Sequence, residues 1–339
     1  MGEKTKKQHY VPQCYLKAWE VPGKHQVYVY DKEQQKSRIN NIEDVASSRY
    51  FYDFSLRDIL PKHTLDKLLK NVEEIDVDVK LQSVEKALSI EIEGPYANFL
   101  TKIIKNARNA TKWCLKNCYF LNSDAKEAFA GLLAIQYVRT AHVRNLIRDL
   151  SDEINQFAER VGASPQALEE YRTLTKEEAK NIHLRMLMED EHLSEIAFHL
   201  CRLKWVLGIN RTGRSFLTSD NPICNVPHCN NGPMPMAGLT SKGIEVFIPL
   251  SPDCILIMRD GDYHKPFAKM DMRYIEIGDK EIVDSYNAFV GMLAERSIYS
   301  TDGDFDQLER LKTEDPRLMQ VSQTALKLGN DTITSRVKR

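Results

Sequence analysis

The stretch "KWVLGINRT", residues 204–212, is where the texture of the chain switches, and that switch sets the fold class. Trp205, Val206, Leu207 and Ile209 form a short apolar run, interrupted by Gly208 and closed by Asn210, which has the length of a strand rather than a helix. The same texture returns in "SFLTSD" (215–220), "IEVFIPLS" (244–251), "DCILIMRD" (253–260) and "RSIYST" (296–301), with Gly, Pro, Asn and Asp clusters between the runs. Within this strand-rich part, "GDKEIVDSYNAFVGMLAERS" reads as one helix, because Ile282, Val283, Tyr286, Phe289, Val290 and Leu293 share a face.

Working upstream, residues from about 64 to 203 carry helical periodicity, as in "TLDKLLKNVEEI", with Leu65, Leu68, Leu69 and Val72 at three- and four-residue spacing. Ser123 or Asp124, with Glu127 as the capping-box partner, predicts a helix start that runs to about Arg160. Gly162 breaks it, Pro165 restarts a helix, and another spans roughly 176–204. Further upstream, "PGKHQVYVYDKEQQKSRI" alternates Val27 and Val29 with Tyr28 and Tyr30 before a turn-like Asp31–Gln35, the signature of a hairpin. Strands, then helices, then strands predict an α+β fold: a helical middle layer packed on a mixed or antiparallel sheet built from the N-terminal hairpin and the C-terminal strands. The expected organisation is a flexible tail over residues 1–8, one α+β domain over 9–315 and a C-terminal extension over 316–339 that ends in the basic "SRVKR".

The 339 residues allow a sizeable core, and 28% charged with 42% hydrophobic residues is globular composition, which argues against a disordered or fibrous chain. A net charge of -1 gives no overall attraction to phosphate backbones, so any nucleic-acid contact must come from a local patch. The seven cysteines are odd in number and scattered, and the N-terminus does not resemble a signal peptide; together these predict reduced thiols and a cytoplasmic protein. The longest apolar run, Ala128 to Ile135, is too short to cross a bilayer, so no membrane partner is expected.

Three places carry candidate chemistry. On the stripe Phe129, Leu133, Gln136, Thr140 and Val143, the amide of Gln136 and the hydroxyl of Thr140 fall where apolar groups are expected, and Arg139 lies beside them. Either these polar groups brace the neighbouring layer, or Arg139 offers its planar fork to an anionic ligand. In "SFLTSDNP", a strand end delivers Ser219, Asp220 and Asn221 ahead of Pro222. They read as an Asx turn, or as a carboxylate placed for a metal, a water or Arg139. In "HYVPQCYL", His9 and Tyr10 stand ahead of a proline-started helix, as structural groups or as the wall of a cleft.

Other signals are weaker. His192, Glu195 and His199 share a helix face without the HExxH pattern, and Cys224, His228 and Cys229 lack a fourth partner at zinc-site spacing. "TKIIKNARNATKWCLK" holds Lys102, Lys105, Arg108, Lys112 and Lys116 around Trp113, with no acid between Glu93 and Asp124, a cationic strip suited to phosphates or a solvated helix surface. Phosphate-cradling glycine loops, nucleophile elbows and kinase motifs are absent from the sequence.

"HYVPQCYLKAW", "QYVRT", "SDNP" and "FIPLSP", in that order and spacing from about residue 8 to 300, resemble the domain of unknown function 4238 family. The resemblance implies no agreed activity. It implies motif positions at His9, Tyr10, Pro12, Gln136, Arg139, Thr140, Ser219, Asp220, Asn221 and Pro222, and a scattered bacterial distribution compatible with defence-related genes.

The resulting expectation is one polar cleft where His9, Gln136, Arg139 and Asp220 converge. His9 acts there as general base or ligand, Asp220 as metal ligand or base orienter, Arg139 as anion clamp and Gln136 as positioning amide. Tyr10, Thr140, Ser219 and Asn221 line the cleft, and Asp220 with His9 are the candidate ligands of a divalent metal. Lys105, Arg108 and Lys112 are the candidate nucleic-acid contacts. The enzymatic expectation is nuclease-like, metal-assisted hydrolysis of a phosphodiester; the alternative is a non-catalytic binding protein whose polar motifs are structural.

Overall fold

The computed structural model describes residues 5–71, 76–229 and 238–314, together with two strands at 325–328 and 331–334. The basic end of the chain, 335–339, lies outside the described residues. The N-terminal part holds β1 (Lys7–His9), α1 (Gln13–Leu16), the hairpin β2 (Gln26–Asp31) and β3 (Lys36–Asn41), and β4 (Ser47–Arg49). The helical part runs through α2 (Leu56–Ile59), α3 (Lys62–Asn71), α4 (Ser83–Ala87), α5 (Glu93–Arg108), α6 (Lys112–Asn117), α7 (Ser123–Val138), α8 (Ala141–Arg160), α9 (Pro165–Glu170), α10 (Lys176–Met188) and α11 (Asp190–Arg202). There follow β5 (Lys204–Asn210), β6 (Thr218–Ser219), β7 (Cys224–Pro227), β8 (Ile244–Ser251), β9 (Cys254–Arg259), α12 (Lys265–Ala268), β10 (Arg273–Ile277), α13 (Lys280–Leu293), β11 (Ser297–Ser300) and α14 (Asp306–Glu314). In the C-terminal extension, Ala325–Leu328 and Asp331–Thr334 pair as an antiparallel hairpin, β12 and β13, which sequence reading did not foresee.

This is the α+β fold read from the sequence, with its strands divided between two main sheets. The hairpin β2–β3 does share a sheet with C-terminal strands, in the order β3-β2-β11-β6. Five other strands form a mixed sheet, β10-β5-β9-β8-β7, in which only β10 and β5 run parallel. All eight residues of β8 are buried because both faces of this sheet are covered. Period-2 alternation divides the cores: Trp205, Leu207, Ile209, Val246 and Ile248 pack with Leu100, Phe129, Leu133 and Leu200 of the helical layer. Val206, Phe247, Ile255 and Ile257 face Val283, Tyr286 and Val290 of α13. Gly208 is required where β5 is squeezed between its neighbours: a Cβ there would lie 2.7 Å from Ile277 Cδ1 and 2.8 Å from Ile255 Cγ2.

Several boundaries differ from expectation. Lys7 and Gln8, expected in a flexible tail, belong to β1, paired with β4, and Gln8 is fully buried. The helix expected to run to Arg160 is two, because Thr140 leaves the helical conformation (φ -75°, ψ 156°) and its Oγ1 accepts the Val143 N–H at 3.4 Å, capping α8. The cap of α7 is Asn122, which accepts the Ala125 N–H at 2.9 Å, rather than Ser123 or Asp124. Glu189, at φ -97° and ψ 109°, likewise splits the helix expected over 176–204 into α10 and α11. Within α13, Ile282 is exposed rather than on the packed face.

Candidate functional site

The break between α7 and α8 is the place to which the N-terminal motif docks. Arg139, 2% exposed, donates from Nη2 to the backbone carbonyl of His9 at 2.7 Å and to Glu93 Oε1 at 3.1 Å. The Tyr52 hydroxyl donates to the Arg139 carbonyl at 2.8 Å, so the last turn of α7 is held at both its main chain and its side chain. The link between Arg139 and His9 therefore runs through main chain. The imidazole points elsewhere, its Nε2–H donating to the Glu43 carbonyl at 3.1 Å, and burial, its largest influence, lowers its pKa. Arg139 also faces a group of carboxylates: burial, opposed by Arg139 and reinforced by Glu93 and Asp53, pushes Glu85 up to about 7.

Gln136 is where sequence placed it, on the buried stripe and 1% exposed, and among the described residues neither its Oε1 nor its Nε2 has a hydrogen-bond partner. The buried hydroxyl of Tyr96 and the Nε of Arg139 are in the same condition. These atoms share one interface: the ring of Tyr96 on α5 packs 6.3 Å from Phe129 on α7, and Glu93, one turn before Tyr96, reaches Arg139 one turn after Gln136.

Asp220 occupies the second half of the region. Its Oδ1 accepts the N–H of Glu295 at 2.9 Å, and its Oδ2 accepts those of Arg296 at 2.9 Å and Ser297 at 2.8 Å. Burial nevertheless raises its pKa to about 6, against those N–H groups and the charges of Lys32 and His142. The side chains around it hold the same turn. Asn221 Nδ2 donates to the Leu293 carbonyl at 3.0 Å, and Lys32 Nζ donates to the Ala294 carbonyl at 2.9 Å. The local turn bond belongs to Ser219, whose Oγ accepts the Asn221 N–H at 3.1 Å, rather than to an Asx turn of Asp220 or Asn221. From the facing helix, His142 Nδ1 lies 3.2 Å from Glu295 Oε2, and Asn145 Nδ2 donates to Glu295 Oε1 at 2.8 Å. Tyr10 connects the two halves: its ring packs 5.3 Å from Phe51, and burial together with the Asp220 carboxylate raises its pKa.

Arg139 thus meets His9 through the His9 carbonyl, while the hydrogen bonds of Asp220 go to the turn at 295–297 and not to His9, Gln136 or Arg139. Sequence reading missed Gln8, Tyr52, Glu93, His142, His183 and Glu295. His183, fully buried, donates from Nε2 to the Val138 carbonyl at 2.7 Å and receives Arg144 at Nδ1, and burial pushes its pKa down to about 3. Gln8 bridges the Tyr52 N–H and Asp53, each at 2.6 Å. Apart from the position of His142 three residues beyond Arg139, nothing in the sequence pattern marks them.

The metal expectation finds no donor set: among the described residues no group of three or more His, Cys, Asp or Glu side chains is gathered to hold an ion. Asp220 spends both its oxygens on backbone N–H groups, and His9 spends Nε2 on the Glu43 carbonyl. His192 pairs with Glu189 at 2.9 Å, His199 lies 3.8 Å from Glu195, and His228 bonds the buried Glu245 at 2.8 Å.

The cationic strip folds onto a different face. Lys102, Lys105, Lys112 and Lys116 are exposed on α5 and α6, while Arg108 is paired with Asp253 at 2.8 Å, an acid brought from the β8–β9 turn. Lys105 and Arg108 line a groove of about 530 Å³ with Lys17, Leu100 and Ile104. Helix α6 runs beside the edge strand β10, since Arg211 reaches the Ala110 carbonyl at one end and Arg273 the Lys116 carbonyl at the other, both at 3.4 Å. Trp113 is 67% exposed on that helix, and the Arg273 guanidinium sits 4.0 Å over the Tyr119 ring.

These features define an α+β protein with a buried polar clamp between its layers and a basic, aromatic edge outside it. The chain belongs to the DUF4238 family, described as proteins of unknown function, whose model matches residues 7–304. No curated protein and no solved structure matches it. Among the described residues no helix is long and apolar enough to cross a membrane.

Proposed function

We propose that the protein is a binding protein whose partner is single-stranded nucleic acid, held along α6, and that its motif residues form the frame presenting that surface. One observation carries this reading: Trp113 stands 67% exposed between Lys112 and Lys116, on the helix whose end Arg273 contacts while stacked on Tyr119. Exposed rings interleaved with cations supply the stacking and charge that bind a strand without reading its sequence. The frame half of the reading is supported by the bonds of Asp220, Asn221, Arg139 and Thr140, all of which end inside the protein.

The test is fluorescence anisotropy of a labelled 12-nucleotide DNA and the equivalent RNA. Lys112→Glu with Lys116→Glu is expected to weaken binding at least tenfold and flatten its salt dependence. Trp113→Ala removes about 1–3 kcal/mol of stacking, roughly a five- to 150-fold loss. Affinity unchanged in both variants overturns the proposal.

A second reading, phosphodiester hydrolysis, draws on the Asp220 carboxyl, raised to about 6 and facing His142. A group poised near neutrality suits acid–base work. It is tested by incubating labelled DNA and RNA with Mg²⁺ or Mn²⁺ and wild type or Asp220→Asn. Cleavage lost at an unchanged melting temperature supports it, and no cleavage by wild type removes it.

A further inference from the structure

A second concave surface lies between the end of α11, the turn entering β8 and the turn after β9. It is a groove of about 550 Å³ whose lining includes Arg202, Lys204, Lys242, Ser241, Asp260 and Asp262. That volume is in the range of small-ligand sites, roughly 300–1,000 Å³. We infer that this groove binds a nucleoside monophosphate, with the phosphate among Arg202, Lys204 and Lys242 and the base toward Asp262.

The two acids do different work. Asp260 accepts the N–H of Gly243 at 2.9 Å and of Asp262 at 3.0 Å, one on each oxygen, so its carboxylate is committed to shaping the wall. That wall has little room to shift, because Gly243 holds φ +73° and a Cβ there would lie 2.9 Å from Cys229 Sγ. Asp262 is exposed and acceptor-only, matched to the amino or ring N–H donors of a base. Arg202, also in the lining, has its guanidinium 5.7 Å from the ring centroid of Phe198, which is 59% exposed beside the groove rather than part of its wall. The guanidinium offers a planar cation for phosphate, and the exposed ring beside it a surface for a base that projects from the groove. Lys204 is braced by Asp271 at 3.3 Å, and Ser241 adds a hydroxyl donor.

One ligand chemistry has two sources here, a free nucleotide or the phosphorylated end of a strand. The second source rests on the nucleic-acid reading above. Lys204 opens β5 and Arg273 opens its parallel neighbour β10, so the groove and the α6 edge meet at one end of the sheet.

Calorimetry with adenosine 5′-monophosphate, adenosine and inorganic phosphate tests the site. The monophosphate is expected to bind at least tenfold more tightly than either fragment, and Lys242→Glu and Arg202→Ser are each expected to lower that affinity at least tenfold with an unchanged melting temperature. No detectable monophosphate binding, or binding that survives both substitutions, overturns the inference. A 5′-phosphorylated oligonucleotide preferred over its 5′-hydroxyl form, with the preference lost in Lys242→Glu but kept in Trp113→Ala, assigns the strand end as the source; equal affinities with intact monophosphate binding assign the free nucleotide. Monophosphate binding that persists while no oligonucleotide binds sustains the groove and removes the α6 reading alone.

Discussion

The Asp220 carboxylate reaches across 75 positions of sequence to accept the backbone N–H of Glu295 at 2.9 Å, and it continues to the next two N–H groups of the same turn. A turn that starts in the interior and ends at the surface, as this one does at Glu295 and Arg296, needs its inner donors satisfied. Lys32 and Asn221 serve its carbonyls while Asp220 serves its amides, so the motif closes both sides of one turn between α13 and β11.

Asp220→Ala leaves the buried N–H of Glu295 and the part-buried N–H groups of Arg296 and Ser297 without an acceptor, and is expected to destabilise the fold by about 2–4 kcal/mol. Urea denaturation at pH 7 measures it; a loss under about 1 kcal/mol would show that the turn holds itself.

That deficit depends on pH with a definite sign. In the folded protein Asp220 keeps its proton up to about pH 6, whereas the unfolded chain releases it near 3.8, so this group contributes more stability as pH falls from about 6 toward 4. The gap between wild type and Asp220→Ala should widen by about 1.4 kcal/mol per pH unit across that window. Melts at pH 4.5 and 7.5 compare it, and a gap that narrows on acidification contradicts the assignment.

His183 has the opposite slope. Its folded pKa of about 3 lies below the ordinary 6.5, so the unfolded chain takes up a proton first and stability is lost as pH falls below 6.5. His183→Gln keeps a donor for the Val138 carbonyl and should remove this acid sensitivity. Wild type and variant are expected to differ most at neutral pH and to converge toward pH 4, with NMR titration of the ring as the direct check.

Among the described residues the two polar atoms of the buried Gln136 amide meet no partner, and an apolar side chain of similar volume avoids their desolvation. Gln136→Met is expected to stabilise by about 1–2 kcal/mol. A marked loss of stability would mean that the amide is bound by water or ligand between α5 and α7.

Gly208→Ala places a methyl group against Ile255 and Ile277 and is expected to cost about 1–3 kcal/mol. Thermal unfolding of the variant is the measurement, and an unchanged melting temperature would mean that β10 moves aside readily.

Much of this protein follows from local sequence. The short apolar runs from Trp205 onward read as strands, while the placing of Trp205 and Val206 in two different cores came from the structure. Gln136 announced itself by breaking an apolar stripe. Such signals survive because side-chain periodicity is a property of a few consecutive residues. The breaks at Thr140 and Glu189 were less legible, since a polar residue within a long helical pattern is compatible with both continuing and stopping.

What tertiary structure alone decided is the use of each polar group. Sequence put His9 and Arg139 together but could not say that the guanidinium takes the His9 carbonyl rather than meeting its ring. It showed a strip of cations without acids, yet Asp253 arrives from elsewhere in the chain to pair with Arg108. Hydrogen-bond satisfaction and charge pairing are settled by which distant segments the packed core brings within about 3 Å, and that choice is written in no single stretch of sequence.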